Sequence, residues 1–248
     1  LMFVGCDEPA SDTPEPVDTI LYNAKVVTVD PQLSFQSAIA VRGDRIVAVG
    51  DASLLQRYQP AHLVNLSGRT VVPGFVDSHT HIGGRARRHI DLADTRSIEE
   101  IKALVVAKAD ELGAGEWITG YGWSEDFMAE LRRPLRADLD AAAPGNPVLL
   151  TRAGGELNGV IRERQDLVSR LVPEATDEEL RDSMVAELKR QLSLGITSLT
   201  HANATIERYA EWERSYALHP DALPRASVQV FWEGPEDMRA FGKKSGDG

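Results

Sequence analysis

Cysteine is all but missing from this 248-residue sequence, where Cys6 stands alone. One cysteine excludes an intrachain disulfide framework and any Cys-rich zinc module. Positive charge is also scarce: 27 Lys and Arg face 38 Asp and Glu, a formal net charge of −11. That balance argues against nucleic acid as a partner, because neutralising phosphates takes clustered Lys and Arg. The basic clusters are short, Arg85-Ala86-Arg87-Arg88 and Lys243-Lys244. No window holds 18 consecutive apolar residues, which excludes a transmembrane helix. What is present, 42% apolar and 26% charged residues, is ordinary for a globular protein of one or two domains with a sizeable core.

The opening Leu1-Met2-Phe3-Val4-Gly5-Cys6-Asp7 is a short apolar run ending in Gly-Cys. It resembles the tail of a bacterial lipoprotein signal, which implies a lipid anchor at Cys6 and a cell-envelope, periplasm-facing location. That pattern prefers Leu where Phe3 stands. The alternatives are a disordered terminus with a chance Gly-Cys and a cytoplasmic protein. Residues 1–17 are read as signal remnant and tether, since the stretch from Asp7 to Pro16 is acidic and rich in Pro and Ser.

Residues 18–72 read as a small β-domain, the N-terminal part of a β-sandwich. Ala38–Arg42 and Arg45–Val49 flank Gly43-Asp44, and Gly in the first place of a two-residue connection predicts a type II′ hairpin. After Pro73-Gly74, strands alternate with amphipathic helices. Phe75-Val76, Trp117–Thr119, Pro147–Thr151, Ile196–Thr200 and Ala226–Phe231 read as five strands. Ser97 with Glu100 and Thr176 with Glu179 are capping boxes that open helices, Gly195 marks a helix stop, and 205–218 reads as a helix. Alternation of this kind implies parallel strands, as in a barrel or a doubly wound sheet.

The chemistry is concentrated in Val71-Val72-Pro73-Gly74-Phe75-Val76-Asp77-Ser78-His79-Thr80-His81. Side chains alternate along a strand, so His79 and His81 share a face just past an apolar run. Two imidazoles so placed can reach one divalent ion, and Asp77 on that face can orient a ligand. The rival reading is a polar strand end with no metal.

The stretch Pro-Gly-(apolar)-(apolar)-Asp-x-His-x-His resembles the end of the first barrel strand in the amidohydrolase superfamily. Asn23–Asp30, Trp117–Trp123, and Arg133–Asp140 with Pro147–Leu150 resemble, more narrowly, its YtcJ-like (amidohydrolase 3) branch. The resemblance implies an α/β fold, a (β/α)8 TIM-type barrel, of which residues 73–248 supply about the first five strands. It implies His79 and His81 as ligands of one or two divalent ions, most often zinc. It also implies a hydrolase that uses a metal-activated water on the C–N bond of a small-molecule amide, N-acyl or N-formyl compound. The general-base Asp is expected beyond this sequence. Trp123 and His201 are expected at the pocket, beside substrate or ligands, with Ser124 and Glu125 as further lining. Trp123 is equally a packing residue.

Two departures from the branch stand out. Thr151-Arg152-Ala153 runs directly into Gly154-Gly155-Glu156, where relatives carry about two dozen more residues; either this protein lacks them or two stretches are joined across an omitted loop near 153–156. A complete barrel also takes eight strands and typically ~250 residues. The chain is therefore expected to be part of a longer protein, completed by further polypeptide or by a second chain, with a homo-oligomer as a further expectation. Among the other histidines, His62 and His219 are read as surface and helix-end residues. His89 is read either as part of a solvated basic loop or, with Arg85, Arg87 or Arg88, as a contact for a substrate carboxylate. The alternatives to an amide hydrolase are a cyclic-amide hydrolase or amidine deaminase and, from another class, a non-catalytic membrane-tethered binding protein on the same barrel.

Overall fold

β-Rich runs and turn residues decide the first part of the chain. The computed structural model describes residues 13–152, 168, 170–232 and 234–243, and these divide into a unit up to Phe75 and a unit from Val76 onward. The first unit holds strands β1 (Glu15–Tyr22), β2 (Lys25–Val27), β3 (Phe35–Gln36), β4 (Ala38–Arg42), β5 (Arg45–Gly50), β6 (Tyr58–Asn65) and β7 (Thr70–Val71), with a one-turn helix α1 (Leu54–Arg57). One sheet runs β5-β4-β1-β6 and a second runs β3-β2-β7. The hairpin joining β4 to β5 closes at Arg42 opposite Arg45. Gly43 has φ +57° and Asp44 does not share that sign, which is the combination a II′ turn needs at its first central residue. The core of this unit gathers Ile20, Ala38, Ala40, Leu54 and Tyr58. Strand β1 begins at Glu15, so the last residues of the expected tether are already in the sheet, held by parallel pairing with Tyr58–Pro60 of β6.

The second unit contains strands β8 (Phe75–Thr80), β9 (His89–Asp91), β10 (Ile118–Trp123), β11 (Val148–Arg152), β12 (Ile196–Ala204) and β13 (Arg225–Val230). Its helices are α2 (Ile98–Leu112), α3 (Arg136–Ala142), α4 (Asp177–Ser193), α5 (Ile206–Leu218) and α6 (Pro235–Phe241). Helix starts follow local chemistry. Ser97 accepts the Glu100 N–H at 3.2 Å and opens α2. The reciprocal half of the expected capping box goes elsewhere: the Glu100 carboxylate accepts from the Arg96 N–H at 2.7 Å, not from Ser97. At α4 the box closes in both directions between Thr176 and Glu179. Thr205 caps α5 through the Arg208 N–H.

The strands do not form one series in sequence order. β9, β10 and β11 make one parallel sheet, ordered β11-β10-β9, whereas β8, β12 and β13 make a second sheet, ordered β13-β12-β8, in which β12 and β13 run parallel. Among the described residues six strands follow Pro73 where five were expected, the addition being β9, and the sheet β11-β10-β9 has a core of its own. Ile90, Leu92, Ile101, Val105, Ile118 and Met128 close that core beneath α2. Full burial of such side chains contributes roughly 1.5–3 kcal/mol each. A different cluster (Ile82, Met184, Leu188, Leu199, Trp212) ties β12 to α4 and α5. Cys6 and the junction at 153–156 lie outside the described residues. Among the described residues no helix is long and apolar enough to cross a membrane.

Candidate functional site

Strand β8 ends in the His-x-His pair, and pleating brings the two rings together. The His79 and His81 centroids are 5.0 Å apart with planes at 76°. Their Nε2 atoms lie 3.2 Å from one another. Both residues are exposed, so water and small molecules can reach the facing nitrogens. Neutral imidazole carries one N–H and one nitrogen with a free lone pair; at this distance one ring can donate to the other, or both can turn their lone pairs to a shared cation.

Asp77 lies two residues earlier. Its Oδ1 accepts the His79 N–H at 3.1 Å, so the carboxylate fixes the backbone of the ligand strand and is not bonded to an imidazole ring, as an orienting partner would be.

β12 lies beside β8 and brings in His201, which is 6% exposed. Its ring centroid is 6.3 Å from that of His81 and 4.9 Å from that of Trp212 on α5. Nδ1 of His201 accepts the Ile82 N–H at 3.0 Å. Expected at the pocket beside substrate or ligands, the ring lies next to His81, packs with the layer of Leu199 and Trp212, and has one nitrogen engaged by the backbone that follows His81. Burial, and then the neighbouring His81 and Arg208, push its pKa below the ordinary histidine value. A neutral ring that accepts at Nδ1 carries its proton on Nε2.

Trp123 stands apart from this group. It ends β10, is 2% exposed, and packs with Ile101, Ile118 and Met128; the pocket-lining expectation gives way to core packing, because the sheet that carries Trp123 is not the sheet of His79. Glu125 lies in a single 3₁₀ turn (Glu125–Phe127) after that strand, and Ser124 precedes it.

His89 is also accounted for locally. It opens β9, with Arg85 Nη1 3.3 Å from its Nε2. Burial foremost, then the Arg85 charge, lower its pKa to about 4, with Asp91 opposing. Arg85 itself pairs with Asp91 at 3.4 Å and Arg87 with Glu111 at 2.9 Å, so the basic loop is engaged by the protein's own carboxylates. Sequence reasoning overlooked β9, although the alternation His89-Ile90-Asp91-Leu92 signals a short strand.

Among the described residues no group of three or more His, Cys, Asp or Glu is placed to hold a metal ion. His79 and His81 form a pair.

Against known proteins, residues 62–240 match the sequence profile of the amidohydrolase family. The N-substituted formamide deformylase of Arthrobacter pascens is 29% identical over 211 residues, covering 81% of this chain and 39% of that protein. The YtcJ protein of Bacillus subtilis is 25% identical over 170 residues, covering 54% and 32% respectively. The matched stretch thus spans less than half the length of these curated relatives. An uncharacterized metal-dependent hydrolase from Pyrococcus horikoshii superposes with a TM-score of 0.58 at 19% identity, over 90% of this chain and 50% of that one. That likeness is one of fold.

Proposed function

This chain belongs to the amidohydrolase family, with a fold of the TIM-barrel type, and from that premise we propose that His79 and His81 are two ligands of a divalent ion in a hydrolase that cleaves C–N bonds. The observation that carries this reading is the 3.2 Å between the two Nε2 atoms. Two nitrogens bound to one tetrahedral zinc at 2.0–2.1 Å stand about 3.3 Å apart, so the rings already hold the spacing of a chelate. Imidazole donors suit zinc, as well as iron, nickel and copper; zinc fits best with a hydrolysis that needs no redox change. When bound, such an ion supplies Lewis acidity, which polarises a carbonyl and lets water act as a nucleophile near neutral pH.

The protein's own contribution is positioning. Pleating sets both rings on one side of β8, and Asp77 pins the His79 backbone at 3.1 Å. Exposure of both rings leaves room for water and substrate. A pair cannot fill a coordination sphere, so water, substrate and further polypeptide of the protein or of a partner are to supply the remaining positions and the proton-transferring carboxylate. The N-substituted formamide deformylase among the relatives supports N-formyl and N-acyl amines as the first substrates to try.

Titration of the intact protein with Zn²⁺ or Co²⁺ tests the pair. Wild type is expected to bind the ion, and His79→Ala or His81→Ala to bind it more than about 100-fold more weakly, beyond what the loss of an outer-sphere partner costs. Hydrolysis of N-formyl and N-acyl amines should vanish in the same variants. Equal metal affinity in wild type and both variants would refute the assignment.

A further inference from the structure

Resting on that reading of His79 and His81, we infer that His201 is a positioning residue: by accepting the Ile82 N–H it clamps the backbone leaving the metal pair onto the neighbouring strand. The contact is 3.0 Å long and buried, and it joins residues 119 positions apart in sequence. Ile82 directly follows His81, so the peptide that carries the second ligand is also the peptide being held. His201 is in turn braced. Its ring leans on the Trp212 indole at 4.9 Å and 37°, and Leu199 on the same strand belongs to the same buried cluster as Ile82 and Trp212. A backbone N–H in such a place demands an acceptor, and the His201 ring supplies it. The ring edge lies near His81, with centroids 6.3 Å apart, close enough to limit how that imidazole turns. Nδ1 is engaged by the backbone, so His201 acts on the ion through His81 and not as a third donor from that atom.

Substitutions separate the two nitrogens of the ring. Asn places an oxygen where Nδ1 lies and offers nothing at the Nε2 position; Gln does the reverse, and Leu offers neither. Two measurements apply to each variant of the intact protein: Co²⁺ or Zn²⁺ affinity, and hydrogen–deuterium exchange at the Ile82 amide, which needs no metal. His201→Leu and His201→Gln are expected to lose about 10–100-fold in metal affinity, the usual effect of removing a partner that orients a ligand, and to speed Ile82 exchange at least about tenfold. His201→Asn is expected to stay close to wild type in both measurements. A near-normal His201→Gln beside a damaged His201→Asn would overturn the inference, since the working nitrogen would then be Nε2. Unchanged Ile82 exchange in His201→Leu would overturn it as well. The underlying metal reading fails separately, by retention of metal in His79→Ala; loss of metal there, with full retention in His201→Leu, would sink only the clamp.

Discussion

The two three-stranded sheets of the second unit are made from similar strands, yet they differ in what their residues are used for. In β11-β10-β9 the strand side chains turn toward α2, where Ile90, Ile118 and Trp123 share one core with Ile101 and Val105. In β13-β12-β8 the first strand stays open: Phe75 and Val76 are 58% and 68% exposed, and two exposed imidazoles stand at its end. Both sheets have polar residues near their strand ends, and an aspartate in each takes a local N–H, Asp91 from Ala93 at 3.0 Å and Asp77 from His79 at 3.1 Å. The lesson is that a histidine at a strand end gains functional meaning from its company. His89 is half-buried beside an arginine that is itself paired, whereas His79 and His81 are exposed and turn their Nε2 atoms toward each other.

The largest effect expected within this comparison comes from the closed sheet. Ile101 is fully buried, and Ile101→Ala leaves a cavity in a core with few alternatives, at a cost of about 2–5 kcal/mol. Urea unfolding followed by far-UV circular dichroism checks the loss. The metal affinity of the variant that remains folded should be unchanged, because the core and the histidine pair belong to different sheets. A folded Ile101→Ala protein that binds metal poorly would break the separation.

A smaller effect is expected where the histidine loop meets a helix. A Cβ on Gly84 would fall against the backbone of Leu180 in α4, 2.5 Å from its Cα and nearer still to its carbonyl oxygen. Backbone cannot swing aside as a long side chain can, so Gly84→Ala must displace either the loop or the helix, at a cost of about 1–3 kcal/mol. If the loop gives way, metal affinity falls along with the melting temperature; if the helix gives way, only stability falls. Measuring both on the one variant shows how firmly α4 supports the segment that follows His81.

Local structure was written plainly in the sequence, and partnership was not. Ser97, Thr176 and Thr205 announce helix starts because a hydroxyl one position ahead of a helix has a defined use, and Gly43 announces its turn because few residues accept that φ. The facing of His79 and His81 follows from the two-residue repeat of a strand. None of these says which strand lies beside which. Periodicity is blind to partners, so the pairing of β9, β10 and β11 in their own sheet was hidden, and with it the choice between packing and pocket lining for Trp123. His201 was similarly opaque: its residue type suggested the site, but the contact that defines it comes from a backbone N–H 119 residues away, and a backbone group has no signature in sequence. Three-residue β9 was missed because a basic loop runs straight into it.

The smallest expected effect concerns pH and His89, the histidine of the closed sheet. Its pKa falls from 6.5 to about 4 in the fold, chiefly through burial and then through Arg85. The unfolded chain therefore binds a proton below about pH 6.5 that the folded chain refuses until about pH 4. Across that window the unfolded state holds more protons, so stability rises with pH and is lost as pH falls. The ring keeps some solvent, which trims the contribution to about 1 kcal/mol between pH 7 and 5. In His89→Asn the urea midpoint should fall less over that interval than it does in wild type. Every other ionisable group is common to both proteins and cancels in the difference. If the two proteins lose stability in parallel, His89 is charged in the folded state at pH 5, and the contrast between a sheet that absorbs its histidine and one that presents its pair would have to be redrawn.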